Sequence, residues 1–337
     1  MTGTQAPPAA DAASDAHDSR GVPGRQVREK LDGATAPAIA VAVTSYSIHL
    51  PADGRFGAAA ADLPPVDPAC PSDRAHTLLG RKGLLYKEPA TRLALCAVHR
   101  ALGLPDGARP DTTLDPGTAI VAASNLGNVA TVVDVTRAVV REGSRGVSPM
   151  AAPNASSNVI ASSIALWFRL GGPNLMVCSG ETAGLDALAL GALLLRARRA
   201  DRVLVVGAEP DDETAVAVRR GPAAADAAPP MRAGAACVVL EPVARAATPL
   251  ATVTVGSTVR RREDVPPWPA RVVVGPGHLD PASAWGDCYG AQGVLQTALA
   301  ARLVAEGAGS VAVLCGGDED GWRTALLTPA TTNGRQP

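Results

Sequence analysis

The chain has 337 residues, 47% of them hydrophobic, and a formal net charge of −1. That is enough apolar material for one large domain or two ordinary ones, while the near-neutral balance and the lack of any dense Lys/Arg run argue against nucleic acid or an anionic membrane surface as the main partner. No run approaches the roughly 18 apolar residues of a membrane span, and the opening MTGTQAPPAADAASDAHDSRG has no basic segment leading into an apolar one, so neither a span nor a secretory signal is expected and the cytoplasm is the expected location.

Residues 1–36, rich in Ala, Pro, Asp, Ser and Gly without periodicity, read as a disordered tail. APAIAVAVTSYSI (Ala36 to Ile48) is a β-branched run that reads as a buried strand, and the turn-rich stretch from Asp53 to Asp73 as a long loop. Leu93, Ala94, Ala97, Val98 and Leu102 recur at helical spacing, which predicts an amphipathic helix begun near Pro89. A strand follows over Thr118 to Ser124, then a helix over Asn128 to Gly143 closed by glycine. Further along come a helix over Ser156 to Leu170, a short strand over Leu175 to Ser179, a helix from Leu185 to Arg199 that is apolar on nearly all sides, and a strand over Arg202 to Glu209. Beyond Val243 the pattern thins to strands over Ala251 to Val259 and Ala270 to Gly277, separated by the loop REDVPPWPA. A helix over Ala291 to Gly307 and closing strands over Ser310 to Gly317 and Thr324 to Pro329 complete the chain. Alternation of short strands and helices predicts an α/β protein on a mostly parallel or mixed sheet.

Six cysteines (Cys70, Cys96, Cys178, Cys237, Cys288 and Cys315) are scattered with no CxxC or Cys/His cluster. Neither a zinc site nor a disulfide framework is expected from that spacing, and no cofactor is implied. One of them stands out. In VCSGETAGLDALALGALLL (Val177 to Leu195) a cysteine lies in a small-residue turn between a strand and an apolar helix, a place where nucleophiles are often presented.

That stretch carries a family resemblance. GPNLMVCSGETAGLDALALGALLLRARRADRVLVVGAE, from Gly172, is similar to the nucleophile strand, turn and helix of β-ketoacyl-ACP synthases. LGRKGLLYKEPATRLALCAVHRAL, VAASNLGNVATVVD, VSPMAAPNASSNVIASSIALWFRLGGPN and AGAACVVLEP resemble other stretches of that family in order, over roughly residues 37–245. The resemblance implies the thiolase-like fold, an α/β arrangement of αβαβα layers built from two related halves (37–245 and 246–337 here), and a dimer in which the strand before the nucleophile pairs across the interface. It also implies decarboxylative condensation of acyl carrier protein thioesters by one cysteine and two histidines.

Carried over residue by residue, the resemblance places Glu181 at the reactive cysteine, three residues before Gly184-Leu185-Asp186-Ala187-Leu188. Cys178 falls three residues too early. The two histidine positions are held by Val274, in Val274-Gly275-Pro276-Gly277-His278, and by Asp287, in Gly286-Asp287-Cys288-Tyr289-Gly290. The segments around them are shorter than in the family, so the C-terminal half is expected to be truncated. Glutamate cannot be acylated as a thiolate can, and its charge suits a helix N-terminus without any catalytic role.

Such a chain resembles the chain length factor, the inactive subunit that pairs with an active ketosynthase in type II polyketide synthases and helps shape the acyl tunnel. Its shortness and its glutamate look more like the partner subunits of the highly reducing systems that make polyenes. The implied partners are an active ketosynthase and, through the complex, the acyl carrier protein. Met150, Phe168, Gly180, Glu181 and Ala183 are the residues expected at the tunnel or interface. Two other readings stand beside this one: decarboxylation of malonyl-ACP or thioester hydrolysis by Glu181 or Cys178, and a homodimeric acyl-ACP binding scaffold. Cys178 is expected to be a small core residue of the strand, Asp186 to favour the helix dipole, and His49, His76, His99 and His278 to be loop or helix-surface residues rather than ligands.

Overall fold

The β-branched run forms the strand it predicts, β1 (Ala40–His49), and the rest of the sheet is arranged on both sides of it. The structure, a computed structural model, describes residues 39–52, 63–108, 113–221 and 229–330. The tail over 1–36 and the first part of the 53–73 loop lie outside the described residues. Helix α1 (Pro89–Ala101) starts with its proline at the first turn, where the missing N–H costs nothing. It is followed by β2 (Thr118–Ala123), α2 (Val129–Glu142), α3 (Val159–Phe168), β3 (Asn174–Val177), α4 (Ala183–Arg196) and β4 (Arg202–Glu209).

Several elements go beyond the sequence reading, among them short helices over His76–Leu79 and Pro281–Trp285. Helix α5 (Glu213–Arg220) is started by Asp212, whose side chain accepts from the Thr214 and Ala215 N–H groups. Strand β5 (Gly234–Glu241) is made by AGAACVVLE, whose continuous apolar run suits a strand buried on both faces. The C-terminal part contributes β6 (Ala251–Val255), β7 (Val272–Val274), α6 (Gln292–Ala305), β8 (Val311–Gly317) and β9 (Gly321–Pro329).

The strands form one mixed sheet in the order β3-β2-β4-β5-β1-β6-β9-β8-β7. In the first half β3, β2 and β4 are parallel, and β5 runs antiparallel between β4 and β1. The second half repeats this scheme with one strand fewer: β9 lies antiparallel between β6 and β8, and β7 is parallel to β8. The halves join where β1 pairs antiparallel with β6, from Ala40 opposite Thr254 to Val43 opposite Ala251.

Two apolar cores follow. One face of the first half packs against α1 and α3 through Leu93, Ala97, Ile160, Ile164, Ile120 and Leu204. The opposite face, together with the inner face of the second half, encloses α4 and α6, which form the central layer. Among the described residues no long helix covers the far face of the second half. There Trp268 of the proline-rich loop lies on the sheet, its Nε1 donating to Thr324 Oγ1 at 2.7 Å, and Arg262 stacks over the Trp322 ring. Among the described residues the second half thus has one strand fewer than the first. No helix among the described residues is long and apolar enough to cross a membrane.

The central layer closes on two glycines. A Cβ on Gly184 of α4 would come within 2.6 Å of the Val294 nitrogen and 2.7 Å of the Gly293 Cα, both backbone atoms of α6. Backbone cannot swing aside as a side-chain tip can. Gly184→Val is therefore expected to lower stability by about 2–3 kcal/mol, read as a reduced urea midpoint with an unchanged slope; a wild-type midpoint would contradict this packing.

Candidate functional site

The turn that carries the family resemblance sits where the parallel strands end. Strand β3 stops at Val177, the last residue paired with β2, and the chain then passes through a short 3-10 turn, Gly180–Thr182, into α4. Gly180 has φ +68, a left-handed conformation that suits glycine. Asn125 holds this turn from the end of β2: its Nδ2 donates to the Gly180 carbonyl at 2.9 Å, and its Oδ1 accepts the Gly180 N–H at 3.1 Å.

Glu181 points into a charged cluster. Its carboxylate accepts from Arg219 of α5 at 2.6 Å, and the same guanidinium nitrogen lies 3.6 Å from Asp287. Arg219 also stacks over the Tyr289 ring, 4.1 Å from its centre. Asp287 accepts the Tyr289 N–H at 2.7 Å, and the Glu181 N–H donates to Asp320 at 2.8 Å. Burial pushes the Glu181 carboxyl above its ordinary value, with Arg219 opposing; burial likewise raises Asp287, opposed by the Tyr289 N–H and Arg219. Two carboxylates are thus held around one cation. The third degenerate position, Val274, is fully buried at the end of β7 beside Val313 of β8, two residues before Cys315, whose thiol donates to the Glu181 carbonyl at 2.8 Å.

Of the three positions carried over from the resemblance, Glu181 and Asp287 share Arg219 as a partner beside the start of α4, while Val274 lies in the sheet. No activated thiol stands with them. Burial raises the thiols of Cys178, Cys288 and Cys315 above the usual range, which keeps them protonated and poorly nucleophilic near neutral pH.

Several expectations are corrected. Cys178 is not a core residue of the strand: β3 ends one residue earlier, and Cys178 is exposed, donating to the Ser124 carbonyl at 3.1 Å. It lines a cavity of about 80 Å³ with Ser124, Asn125, Gly127, Ile160 and Met176. Asp186 does more than face the helix dipole, since it accepts from Arg323, Ser179 and Thr182. His49 and His99 are buried rather than on the surface, because His49 ends a central strand and His99 lies on the inward face of α1; His278 is exposed, as expected. Phe168 is buried in the outer core at the C-terminal end of α3, next to the start of β2, whereas the cavity lies at the other end of that helix. Met150 is exposed. Ala183 is fully buried at the start of α4, and a side chain on Gly180 would strike Asp320.

Arg219, Asn125, Asp320 and Glu209 escaped the sequence reading. The Asp212 cap and the terminal basic pair of DETAVAVRR were the signals that could have located α5 and hence Arg219. Glu209 ends β4 fully buried, accepting from the Asn125 N–H at 2.6 Å, the Leu126 N–H at 3.0 Å and the Ser124 hydroxyl at 3.0 Å. It supports the loop that holds the turn.

Comparison with known proteins agrees with this geometry. Residues 80–233 match the model of the β-ketoacyl synthase N-terminal domain. The solved structure of the ishigamide ketosynthase/chain length factor has a TM-score of 0.63 at 23% identity, covering 86% of this chain and 99% of that one. A type II polyketide synthase acyl-carrier protein in complex with its ketosynthase bound to the hexaketide gives 0.61 at 16% identity, with the same coverages of 86% and 99%. An oxazolomycin ketosynthase domain from Streptomyces albus JA3453 gives 0.53 at 15% identity, over 88% and 96%. No curated protein matches the chain significantly. The chain resembles β-ketoacyl synthases in sequence over residues 80–233 and has the thiolase-like ketosynthase fold.

Burial raises the Glu209 carboxyl from its ordinary 4.5 to about 7, against the pull of its three donors. The folded state therefore holds this proton more tightly than the unfolded chain does. The stabilising contribution is complete below pH 4.5 and is lost as the pH rises to about 7. Glu209→Gln should flatten the fall of the urea midpoint over that window relative to wild type; identical pH profiles would contradict the assignment.

Proposed function

We propose that this chain is a non-catalytic ketosynthase-like subunit, a chain length factor that pairs with an active β-ketoacyl synthase in the cytoplasm and helps shape the tunnel for a growing polyketide. The observation that carries the reading is Glu181: the position of the family nucleophile holds a carboxylate engaged by Arg219, and the positions of both family histidines hold Val274 and Asp287. A carboxylate bound in an ion pair does not supply the thiolate nucleophile that forms a thioester.

Three further features support pairing. Strand β3 is an edge strand, so one side of its backbone is open to a strand from a partner. Helix α2 buries none of its residues, and Val132, Val139 and Val140 are exposed on it, as is Met150 just beyond. Structural neighbours include a ketosynthase/chain length factor and a ketosynthase in complex with a type II acyl-carrier protein. On this reading the cavity beside Cys178, rather than Phe168, borders the acyl chain, and the polyene-type systems are the closest functional setting.

Coexpression with an active ketosynthase is expected to give a one-to-one heterodimer by native mass spectrometry that condenses malonyl units on acyl carrier protein, while the chain alone does not. A stable homodimer that ignores the ketosynthase would instead favour the scaffold reading, and carbon dioxide release from malonyl-ACP by the chain alone would favour the decarboxylase. Within the complex, Cys178→Ala should leave condensation near wild type, and Cys178→Phe, which fills the cavity, should shorten the product. An unchanged product from an intact Cys178→Phe complex would contradict the tunnel assignment.

A further inference from the structure

On the outer face of the sheet, away from the Glu181 turn, the fold assembles a cluster that sequence spacing conceals. His49 at the end of β1, Cys70 in the loop that follows and Cys96 in the middle of α1 each offer one ligand atom within 4.8 Å of the other two. Cys96 is completely buried, His49 is 3% exposed and Cys70 is half-buried. Cys70 Sγ lies 3.9 Å from His49 Nε2. Cys96 belongs to the outer apolar core with Leu79, Leu93, Ala97 and Val98, and Cys70 is packed against that core. Aliphatic side chains would fill such a place equally well. Two thiols and an imidazole converging from three separate elements make a ligand set.

We propose that His49, Cys70 and Cys96 form a binding site for a thiophilic metal ion, zinc. Zinc takes sulfur ligands at about 2.3 Å and nitrogen at about 2.0–2.1 Å in a tetrahedron, which puts ligand atoms roughly 3.5–3.8 Å apart. From separations of up to 4.8 Å, the three atoms need to draw together by at most about 1.3 Å to reach that geometry. Thiolate and imidazole select zinc over magnesium or calcium, which require oxygen. Three protein ligands leave one tetrahedral position, which water can take.

The proton balance is explicit. Without metal, His49 Nε2 donates to the Cys70 carbonyl at 2.9 Å. On binding, the ring proton moves to Nδ1, the Nε2 lone pair turns to the metal, and two Cys–SH groups become two Zn–S bonds with release of two protons. No electron is transferred. Affinity therefore rises with pH. The bond would tie the end of β1, the following loop and α1 to one point and stabilise all three against local opening.

The test uses the full-length chain, stripped with chelator under a reductant that does not bind metal. Titration with Co²⁺ is expected to give thiolate-to-cobalt charge-transfer absorption saturating at one equivalent and bleached by one equivalent of Zn²⁺. Cys70→Ser should weaken binding at least tenfold, by analogy with the roughly 10–100-fold effects of losing even outer-shell partners, while Cys178→Ser should leave it unchanged. Alkylation needs no variant: zinc should protect Cys70 from iodoacetamide. Absence of the charge-transfer band, equal binding by Cys70→Ser, or equal alkylation of Cys70 with and without zinc would each overturn the proposal. A Cys70–Cys96 disulfide in oxidised protein, with no metal uptake after reduction, would overturn it as well.

Discussion

The close crossing of α4 and α6 is the constraint on which the rest depends. Gly184 and Gly293 let two helix backbones meet with no side chain between them, so one apolar layer is shared by both half-sheets and by the β1–β6 junction. The same crossing sets the functional turn. It fixes the start of α4, and therefore Glu181, against the end of β8, where Cys315 and Gly317 adjoin it. It also sets Asp287, a few residues before α6, against the same turn. Among the described residues the second half has one strand fewer than the first, and Trp268 lies over its far face.

Within that frame the site has a consistent chemistry of its own. Charged groups left unpaired at a half-buried turn would cost stability. Here Arg219 joins Glu181 to Asp287, Asp320 accepts the turn's free N–H, and Arg323 engages Asp186. Arg219 and Glu181 are each a little over one quarter exposed, so the cluster's worth lies in holding the turn's shape more than in stability.

Much of this was legible in the sequence, and the physical reasons are specific. Strands and helices with strong period, such as Thr118–Ala123 and Gln292–Ala305, fell within a residue or two of their place. Strand β5 was quoted as family-like but not read as a strand, because a run buried on both faces has no alternation to detect. Helix α5 is short and polar, so its capping aspartate was its main signal, and Arg219 was missed with it. Burial of Cys178 did not follow from its place before the turn: strand length is decided by pairing with β2, which stops at Val177. The His49, Cys70 and Cys96 cluster was invisible for the same kind of reason, since their proximity is created by the packing of α1 on the end of β1.

The central claim is that no residue of this chain carries the acyl group. Loading the reconstituted heterodimer with an acyl carrier protein thioester and locating the covalent adduct by peptide mass spectrometry tests it directly. The account expects the acyl group on the ketosynthase cysteine alone, with every peptide of this chain unmodified; an adduct on Glu181, Cys178 or Cys315 would contradict it.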